Sequence, residues 1–221
     1  QKNSCKTISY TYTEPTVYLE TALETAKIAC LKGLKNLFVT NGFMTAETIE
    51  IMAPYLAAAN VDLKSFRNEF YKKKCGAALQ PVLDSLIKMK KLGIWIEITT
   101  LLIPGLNDSP EELKDIAAFI SSLGSETPWH ISRFHPQFRM LQVPSTPIAS
   151  LHLARRIGKE AGLKYVYSGN VPGDEGENTY CSNCEKILIN RNGYSIIDNL
   201  LSEDACPHCG KNWRAFFRRN S

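Results

Sequence analysis

Short apolar runs alternate with stretches of helical periodicity along most of the chain. The apolar runs end near positions 12, 40, 63, 102 and 133, and after each of them apolar side chains recur every three or four positions. A repeat of about thirty residues in which strand and helix alternate predicts parallel βαβ units. An open sheet and a partial barrel give the same alternation, so the periodicity alone leaves both architectures open.

The boundaries of these elements follow from caps and breakers. Gly33 and Gly93 mark helix ends, Thr45 is suited to cap a helix that Pro54 limits, and Asp108 and Ser109 begin another helix. In the first helix, Leu19, Leu23, Ala26 and Leu34 are spaced for one buried face. We expect strands over 7–12, 37–40, 58–63, 94–102, 129–133 and 165–167, and helices over 16–32, 68–74, 79–92 and 150–161.

Polar motifs close several of the predicted strands. They contain Glu14, Asn41, Asp62 with Lys64, and His135. Because the carboxyl ends of parallel strands meet at one edge, we expect these side chains to converge on a ligand. Taken singly, each has a plainer interpretation: Asn41-Gly42 is a common turn, and Asp62 with Lys64 could form a solvated ion pair.

Composition narrows the class of protein only modestly. With 221 residues and 44% hydrophobic content, the chain can bury one full core and add a small second module. A net charge of +4 is too mild to indicate nucleic acid. No apolar run approaches the length of about 18 residues needed to span a membrane, and no signal peptide is recognisable at the start. We therefore expect a cytoplasmic protein without a membrane partner.

The last quarter of the chain contains a distinct cysteine module. Cys181, Cys184, Cys206 and Cys209 form two Cys-x2-Cys pairs separated by 21 residues, which is the spacing of a structural zinc ribbon. Iron is the main alternative metal, and a disulfide pair is disfavoured by the absence of a secretion signal. His208 could compete as a ligand, although four sulfurs already complete a site. We expect a domain over 1–170 and the zinc-ribbon-like module with its tail over 171–221.

The polar motifs together resemble the series found in radical S-adenosylmethionine (SAM) enzymes, most closely the activating enzymes of glycyl radical proteins. One subfamily is similar in the amino-acid sequence of segments 10–16, 129–136 and 165–170. It is also similar in the cysteine module that begins near Asn178. That subfamily is the radical SAM member of the AmmeMemoRadiSam system. The resemblance implies an α/β fold, a partial (β/α) barrel of the radical SAM type that lacks its first strand. The motifs that carry it are Glu14-Pro15, Thr40-Asn41-Gly42, Asp62-Leu63-Lys64, Ile103-Pro104-Gly105 and Phe134-His135-Pro136.

The resemblance also implies the cofactors, SAM and a [4Fe–4S] cluster, and the residues that would contact SAM. Glu14 matches the glutamate of the family's Gly-Gly-Glu motif, although Tyr12 and Thr13 replace the two glycines. Thr13 could still offer its carbonyl to the methionyl amino group, while Asn41 and Lys64 suit ribose hydroxyls and a carboxylate. The complete set implied for cofactor binding is Thr13, Glu14, Thr40, Asn41, Asp62, Lys64 and His135.

One family motif has no counterpart in the sequence. Radical SAM enzymes hold their cluster through Cys-x3-Cys-x2-Cys, and these 221 residues contain no such triplet. The segment from Gln1 to Ser9, with the single Cys5, resembles sequence downstream of the cluster loop. We therefore expect the latter part of a longer protein, inactive by itself, with catalytic cysteines that lie outside this chain.

Two functions of different classes remain open. The leading one is a radical SAM oxidoreductase of the activating-enzyme type. It would cleave SAM reductively to a 5′-deoxyadenosyl radical that abstracts hydrogen from an unknown, possibly protein, substrate. The resemblance implies a reductant such as flavodoxin or ferredoxin, and partner proteins of the same system. The alternative is a non-redox α/β zinc-ribbon module that binds a nucleotide or a protein.

Overall fold

A six-stranded parallel sheet forms the frame of the molecule, in the strand order β1-β2-β3-β4-β5-β6. The computed structural model describes residues 5–201 and 205–212. Sequential order with helical crossovers is the arrangement that the alternating pattern predicts, and the expected α/β partial barrel is confirmed. The strands are β1 (Thr7–Tyr10), β2 (Lys35–Thr40), β3 (Leu56–Asp62), β4 (Trp95–Leu102), β5 (Trp129–Arg133) and β6 (Val166–Gly169).

Helices follow the strands along the chain. Two of them begin near the predicted starts and have side-chain caps: Thr45 accepts the N–H of Thr48 over 3.3 Å, and Ser109 accepts the N–H of Glu112 over 3.2 Å. A 3₁₀ turn, Pro15–Tyr18, precedes the first helix, and a π-helical turn, Tyr71–Cys75, continues the third. The helices are α1 (Leu19–Leu31), α2 (Ala46–Met52), α3 (Asn68–Phe70), α4 (Leu79–Lys91), α5 (Pro110–Leu123) and α6 (Ile148–Glu160).

The chain divides into two compact units, Gln1–Thr99 and Thr100–Ser221, with the boundary inside β4. In the first unit the strands alternate between buried and partly exposed positions. Phe38, Ala59, Val61 and Ile98 are completely buried and lie on one face. The alternation follows from the two-residue period of a strand. Removing these side chains from water is the main stabilisation of this unit.

The buried face of α1 differs from the predicted one. Ala22, Ala26 and Ala29 are at most 2% exposed, whereas Leu19 and Leu23 are only partly buried. The helix packs against β2, and small side chains allow a helix backbone to approach closely. Ala26 of the predicted face is fully buried, but the leucines of that face are not, and alanines three and four positions apart form the buried face.

The second unit has a core around Trp129. This residue is fully buried, and its indole Nε1 donates to Thr100 Oγ1 over 3.0 Å, which satisfies the buried indole N–H. Gly158 of α6 lies so close that an added Cβ would be 3.0 Å from Trp129 Cε3. A glycine at this point of α6 therefore permits the helix to press against β5.

The cysteine module contains a small antiparallel sheet that sequence periodicity did not predict. Its strands are β7 (Thr179–Tyr180), β8 (Ile187–Asn192) and β9 (Ser195–Asn199), in that order. Leu188 is fully buried and packs with Cys181 and Cys206. The predicted boundary at position 170/171 stays a prediction, and the tail from 213 lies outside the described residues.

Candidate active site and metal centre

Glu14 links the ends of β1 and β2. Its Oε1 accepts the hydroxyl of Thr40 over 2.5 Å, and its Oε2 accepts the backbone N–H of Asn41 over 2.8 Å. The Glu14 carbonyl accepts the N–H of Val17 over 3.0 Å in the turn before α1. Both carboxylate oxygens therefore hold protein groups, and Glu14 fixes the geometry of the carboxyl edge.

The turn after β2 is tightly constrained. Asn41 Oδ1 accepts the N–H of Phe43 over 2.7 Å, and Thr40 Oγ1 accepts the N–H of Gly42 over 3.1 Å. Gly42 has a φ of +72°, and a Cβ added there would lie 2.6 Å from Val61 Cγ1. Only glycine fits both the left-handed backbone and the available space.

Asp62 and Lys64 form an ion pair at the end of β3. Lys64 Nζ lies 2.7 Å from Asp62 Oδ2, and the two side chains are 37% and 39% exposed. Thr40 pairs with Val61 across the parallel ladder, so Asn41 and Asp62, which follow them, lie at the same edge of the two strands. Asn41, Asp62 and Lys64 therefore share one edge of the first unit.

Tyr71 holds the segment that carries Lys64. Its phenolic oxygen accepts the backbone N–H of Lys64 over 3.1 Å, and the side chain is 2% exposed. Burial raises the pKa of Tyr71 to about 12, so the phenol stays protonated at physiological pH. No local pattern in the sequence predicts this contact, because Tyr71 begins the irregular π-helical turn.

The segment of Tyr12 and Thr13, which the resemblance matches to two glycines, has an unusual backbone. Tyr12 has a φ of +69° and a fully exposed side chain, and Thr13 is also exposed. Positive φ is a genuine outlier for an aromatic residue and is the region that glycine favours. Tyr12 therefore has a backbone conformation that glycine favours, although it is not a glycine.

His135 lies in the second unit, on the exposed segment after β5. Ser145 Oγ is 3.5 Å from His135 Nδ1. The neighbouring Thr146 is fully buried; its Oγ1 accepts the N–H of Phe134 over 3.0 Å and donates to the carbonyl of Leu102. Thr146 therefore anchors the His135 segment to the end of β4, a non-local role that sequence reasoning missed.

The predicted site residues thus fall into three groups. Hydrogen bonds join Glu14, Thr40 and Asn41, an ion pair joins Asp62 and Lys64, and Thr13 and His135 lie in exposed segments. Their role in cofactor binding stays a prediction.

The four cysteines of the C-terminal module come together. Their sulfurs all lie within 4.8 Å of one another, with 3.6 Å between the Cys181 and Cys209 sulfurs and 3.8 Å between those of Cys184 and Cys206. A tetrahedral site with metal–sulfur bonds of about 2.3 Å places its sulfurs about 3.8 Å apart. The geometry therefore fits one ion, and four thiolates suit either zinc or iron.

The two knuckles have the same hydrogen-bond pattern. The N–H of Asn183 points at Cys181 Sγ and that of His208 at Cys206 Sγ, each over 3.4 Å. The residue after the second cysteine is left-handed in both, Glu185 with a φ of 58° and Gly210 with a φ of 72°. At the second of these positions, Gly210 supplies the permissive backbone that a left-handed conformation favours. Among the described residues, the ligand group contains the four cysteines and not His208.

The thiols differ in acidity. The backbone N–H of Lys211 lowers the pKa of Cys209 to about 6. For Cys184 the N–H of Lys186 acts in the same direction, but burial and the neighbouring thiols outweigh it and raise the pKa to about 12. Metal binding at such a cluster must release protons at neutral pH, because the ligands are thiolates.

The parallel sheet and the polar carboxyl edge define an α/β partial barrel with a candidate ligand site at that edge. The family model of the Radical SAM superfamily matches residues 1–120, and the chain belongs to this superfamily. Membership implies an enzyme that uses SAM and an iron–sulfur cluster. The narrower likeness to the AmmeMemoRadiSam subfamily stays a prediction.

Individual proteins are similar over most of the chain. An uncharacterized protein of Methanocaldococcus jannaschii is 47% identical over 211 residues, which are 94% of this chain and 62% of that protein. The chain thus spans less than two thirds of this curated relative.

Solved structures match in fold alone, because their sequence identities are low. A domain of pyruvate-formate lyase-activating enzyme from Bacteroides vulgatus has a TM-score of 0.66 at 18% identity, over 74% of this chain and 98% of that one. SuiB of Streptococcus suis bound to S-adenosylmethionine has a TM-score of 0.60 at 14% identity, over 74% and 39% of the two chains. Within the described residues, no helix is both long enough and apolar enough to cross a membrane.

Proposed function

We propose that the whole protein is a radical SAM enzyme of the activating-enzyme type, and that the carboxyl edge of β1, β2 and β3 holds SAM. When bound, the cluster and SAM together supply reductive cleavage to a 5′-deoxyadenosyl radical, which abstracts hydrogen from the substrate. The observation that supports this proposal is the pairing of Thr40 with Val61, which brings the next residues, Asn41 and Asp62, to one edge, with Lys64 paired to Asp62.

The residues of the edge have complementary roles in this proposal. Lys64 offers a cation to the SAM carboxylate, and Asp62 accepts hydrogen bonds from the ribose or the amino group. Asn41 Nδ2 is a donor for the ribose, because Asn41 Oδ1 is already fixed by the N–H of Phe43. Glu14 acts indirectly, since both of its oxygens hold the turn that presents Asn41. Thr13 offers its carbonyl, and His135 keeps its predicted role as a SAM contact.

The proposal includes a [4Fe–4S] cluster, which we assign to the whole protein. The 221 residues contain no Cys-x3-Cys-x2-Cys triplet, and the chain spans 62% of its curated relative. The four-cysteine module is a separate, structural metal site, with zinc as the proposed ion, because its four sulfurs form a closed set. A reductant such as flavodoxin or ferredoxin supplies the electron. A protein substrate is proposed from the likeness to activating enzymes.

The test is formation of 5′-deoxyadenosine by the whole protein, purified anaerobically with its cluster and incubated with dithionite and SAM. We expect the product from the wild type and a tenfold or larger loss in Lys64→Ala at subsaturating SAM. Lys74→Ala, which alters an exposed lysine of the π-helical turn, is the matched control and should behave like wild type. Absence of 5′-deoxyadenosine from cluster-loaded wild type would favour the non-redox binding module instead.

A further inference from the structure

A cleft of about 230 Å³ lies between α6, the start of β6 and the first cysteine knuckle. All of its wall belongs to the second unit, and the wall includes Arg155, Lys159 and Asn178. It also includes the residues that lead into β6, so the cleft lies at the amino end of that strand. His135, which is predicted to contact SAM, follows the carboxyl end of β5. The cleft is therefore a candidate site separate from the predicted cofactor contacts.

Arg155 is a nearly buried cation in the wall of this cleft. The residue is 7% exposed, its Nε donates to the carbonyl of Val166 over 3.4 Å, and its Nη1 lies 3.3 Å from Glu175 Oε1. The Glu175 side chain is 75% exposed, so water competes for this ion pair. A guanidinium has five N–H donors, and the two contacts use only part of them. Arg155 therefore keeps further donors for an anion.

Lys159 lies one helical turn after this arginine, so the two cations are neighbours on α6. Its Nζ lies over the Tyr180 ring, 5.7 Å from the ring centroid, and no carboxylate in the described part of the chain pairs with it. The Tyr180 hydroxyl donates to the carbonyl of Glu175 over 2.9 Å, which holds the ring in place. Lys164, a third cation of the wall, pairs with Glu126 at 2.6 Å. The charge of Lys159 is thus the one that stays without a counterion.

Asn178 adds a neutral donor to the same wall. Its Oδ1 accepts the backbone N–H of Arg191 over 2.7 Å, which fixes the orientation of the amide. Among residues 5–201 and 205–212, no acceptor contacts its Nδ2. The backbone N–H of Asn178 donates to the carbonyl of Glu175 over 3.2 Å, the same carbonyl that accepts the Tyr180 hydroxyl. Two segments of the chain, α6 and 175–180, therefore present donors to one cleft.

We propose that this cleft binds the phosphate group of a small phosphate monoester. Arg155, Lys159 and Asn178 supply three donor groups, and a phosphate monoester has three terminal oxygens to accept from them, whereas a carboxylate has two. The volume is below the roughly 300–1,000 Å³ of sites for drug-sized ligands, which restricts the ligand to a small molecule.

Glu185 determines what the rest of the ligand can be. It belongs to the wall of the cleft and is exposed. Its carboxylate repels a second anionic group but accepts hydrogen bonds from hydroxyls. The remainder of the ligand is therefore uncharged and hydroxylated, as it is in a sugar phosphate.

The test titrates the 221-residue chain, labelled with ¹⁵N and used as purified, with glycerol 3-phosphate at constant ionic strength. The reporters are the Asn178 side-chain NH₂ and the Arg155 Nε–H signals, which lie at the proposed contact. We expect both signals to shift saturably, and Lys159→Gln to raise the apparent Kd roughly fivefold or more, because the variant loses a charged donor. Lys114→Gln makes the same change at an exposed position of α5 and should bind like wild type.

A second variant and a second probe test the assignment to phosphate. Asn178→Asp keeps the acceptor for the N–H of Arg191 but places a negative charge beside the ligand, so saturable binding should be lost while the signals of the other residues stay native. Glycerate, in which a carboxylate replaces the phosphate, should bind several-fold more weakly. Tighter binding of glycerate would overturn the assignment to phosphate. Reporters that do not saturate, or equal affinities of Lys159→Gln and Lys114→Gln, would overturn the site itself.

Discussion

The backbone N–H of Asn41 donates to Glu14 Oε2 over 2.8 Å, so a carboxylate that follows β1 holds the turn that follows β2. Thr40 Oγ1 occupies the other oxygen of Glu14. Glu14 therefore hydrogen-bonds to the protein, and it would influence a ligand by positioning Asn41.

Glu14→Gln tests this link. The glutamine amide can accept only through one oxygen, so an NH₂ group must face either the Thr40 hydroxyl or the Asn41 N–H. We expect the free energy of unfolding to fall by about 1.5–3 kcal/mol, the range for hydrogen bonds to a charged group, as measured by urea denaturation. Glu160→Gln, an exposed change at the end of α6, should stay within about 0.5 kcal/mol of wild type. Equal stabilities of the two variants would show that the Glu14 bonds contribute little.

Gly42→Ala and Gly76→Ala separate backbone strain from steric conflict. Both glycines have positive φ, but the added Cβ meets Val61 Cγ1 at 2.6 Å only at Gly42, while at Gly76 nothing lies within 4 Å. We expect Gly76→Ala to cost about 1 kcal/mol through the left-handed backbone. Gly42→Ala should cost at least about 2 kcal/mol, because overpacking adds to the strain. Thermal and urea unfolding of both variants measure the difference, and similar costs would contradict the tight fit against Val61.

The cysteine site should bind about one metal ion per chain. Elemental analysis of purified protein should find zinc, or iron as the alternative, and Cys181→Ser and Cys206→Ser should each lower the content severalfold. Cys75→Ser changes an exposed cysteine outside the cluster and should leave the content unchanged. Full occupancy in both knuckle variants would contradict the four-sulfur site.

Asp174 makes the stability of the folded chain depend on pH. Burial alone raises the pKa of this carboxyl, but hydrogen bonds from His152 and from the N–H of Gly176 outweigh burial and hold the pKa below its ordinary value. The folded state therefore binds this proton less readily than the unfolded state does. The resulting stability is present above the unfolded pKa of about 4 and is lost as pH falls through the lower folded pKa.

Asp174→Asn should remove that contribution. We expect a loss of about 1–2 kcal/mol at pH 7 and a shallower decline in stability below pH 4 than in the wild type, measured by urea denaturation across pH. The control, Asp84→Asn, changes an exposed aspartate of α4 and should keep the wild-type slope. An unchanged acid slope in Asp174→Asn would show that other carboxylates dominate acid unfolding.

The strands and helices of the sheet were predictable, because their signals are local. Thr45 and Ser109 mark the starts of helices. In the segment that contains Ile96 and Ile98, apolar and polar residues alternate, as they do in a strand with one buried face. Tertiary partners carry no such signal: the anchoring of Phe134 by Thr146 depends on a residue twelve positions away along the chain.

Other misses have a similar origin. The buried face of α1, which packs against β2, consists of alanines, and leucine spacing does not report it. In the cysteine module, Ile196 and Ile197 are 60% and 57% exposed on neighbouring positions of β9. Such a strand has no buried face and therefore no period-two pattern to find. The metal site, by contrast, could be predicted from the sequence, because each Cys-x2-Cys pair is a local motif.

The most direct test of the central claim is calorimetric titration of SAM into the 221-residue chain and its variants Asn41→Ala, Asp62→Ala and Lys64→Ala. Each variant should bind SAM roughly ten- to a hundredfold more weakly than the wild type, since each loses a hydrogen bond that involves SAM, two of them charged. Asp62→Ala and Lys64→Ala should combine non-additively, because the two side chains are in contact at 2.7 Å. Lys74→Ala should bind like wild type. Wild-type affinity in all three edge variants, or no SAM binding by the wild type at millimolar concentration, would contradict the assignment of this edge to SAM.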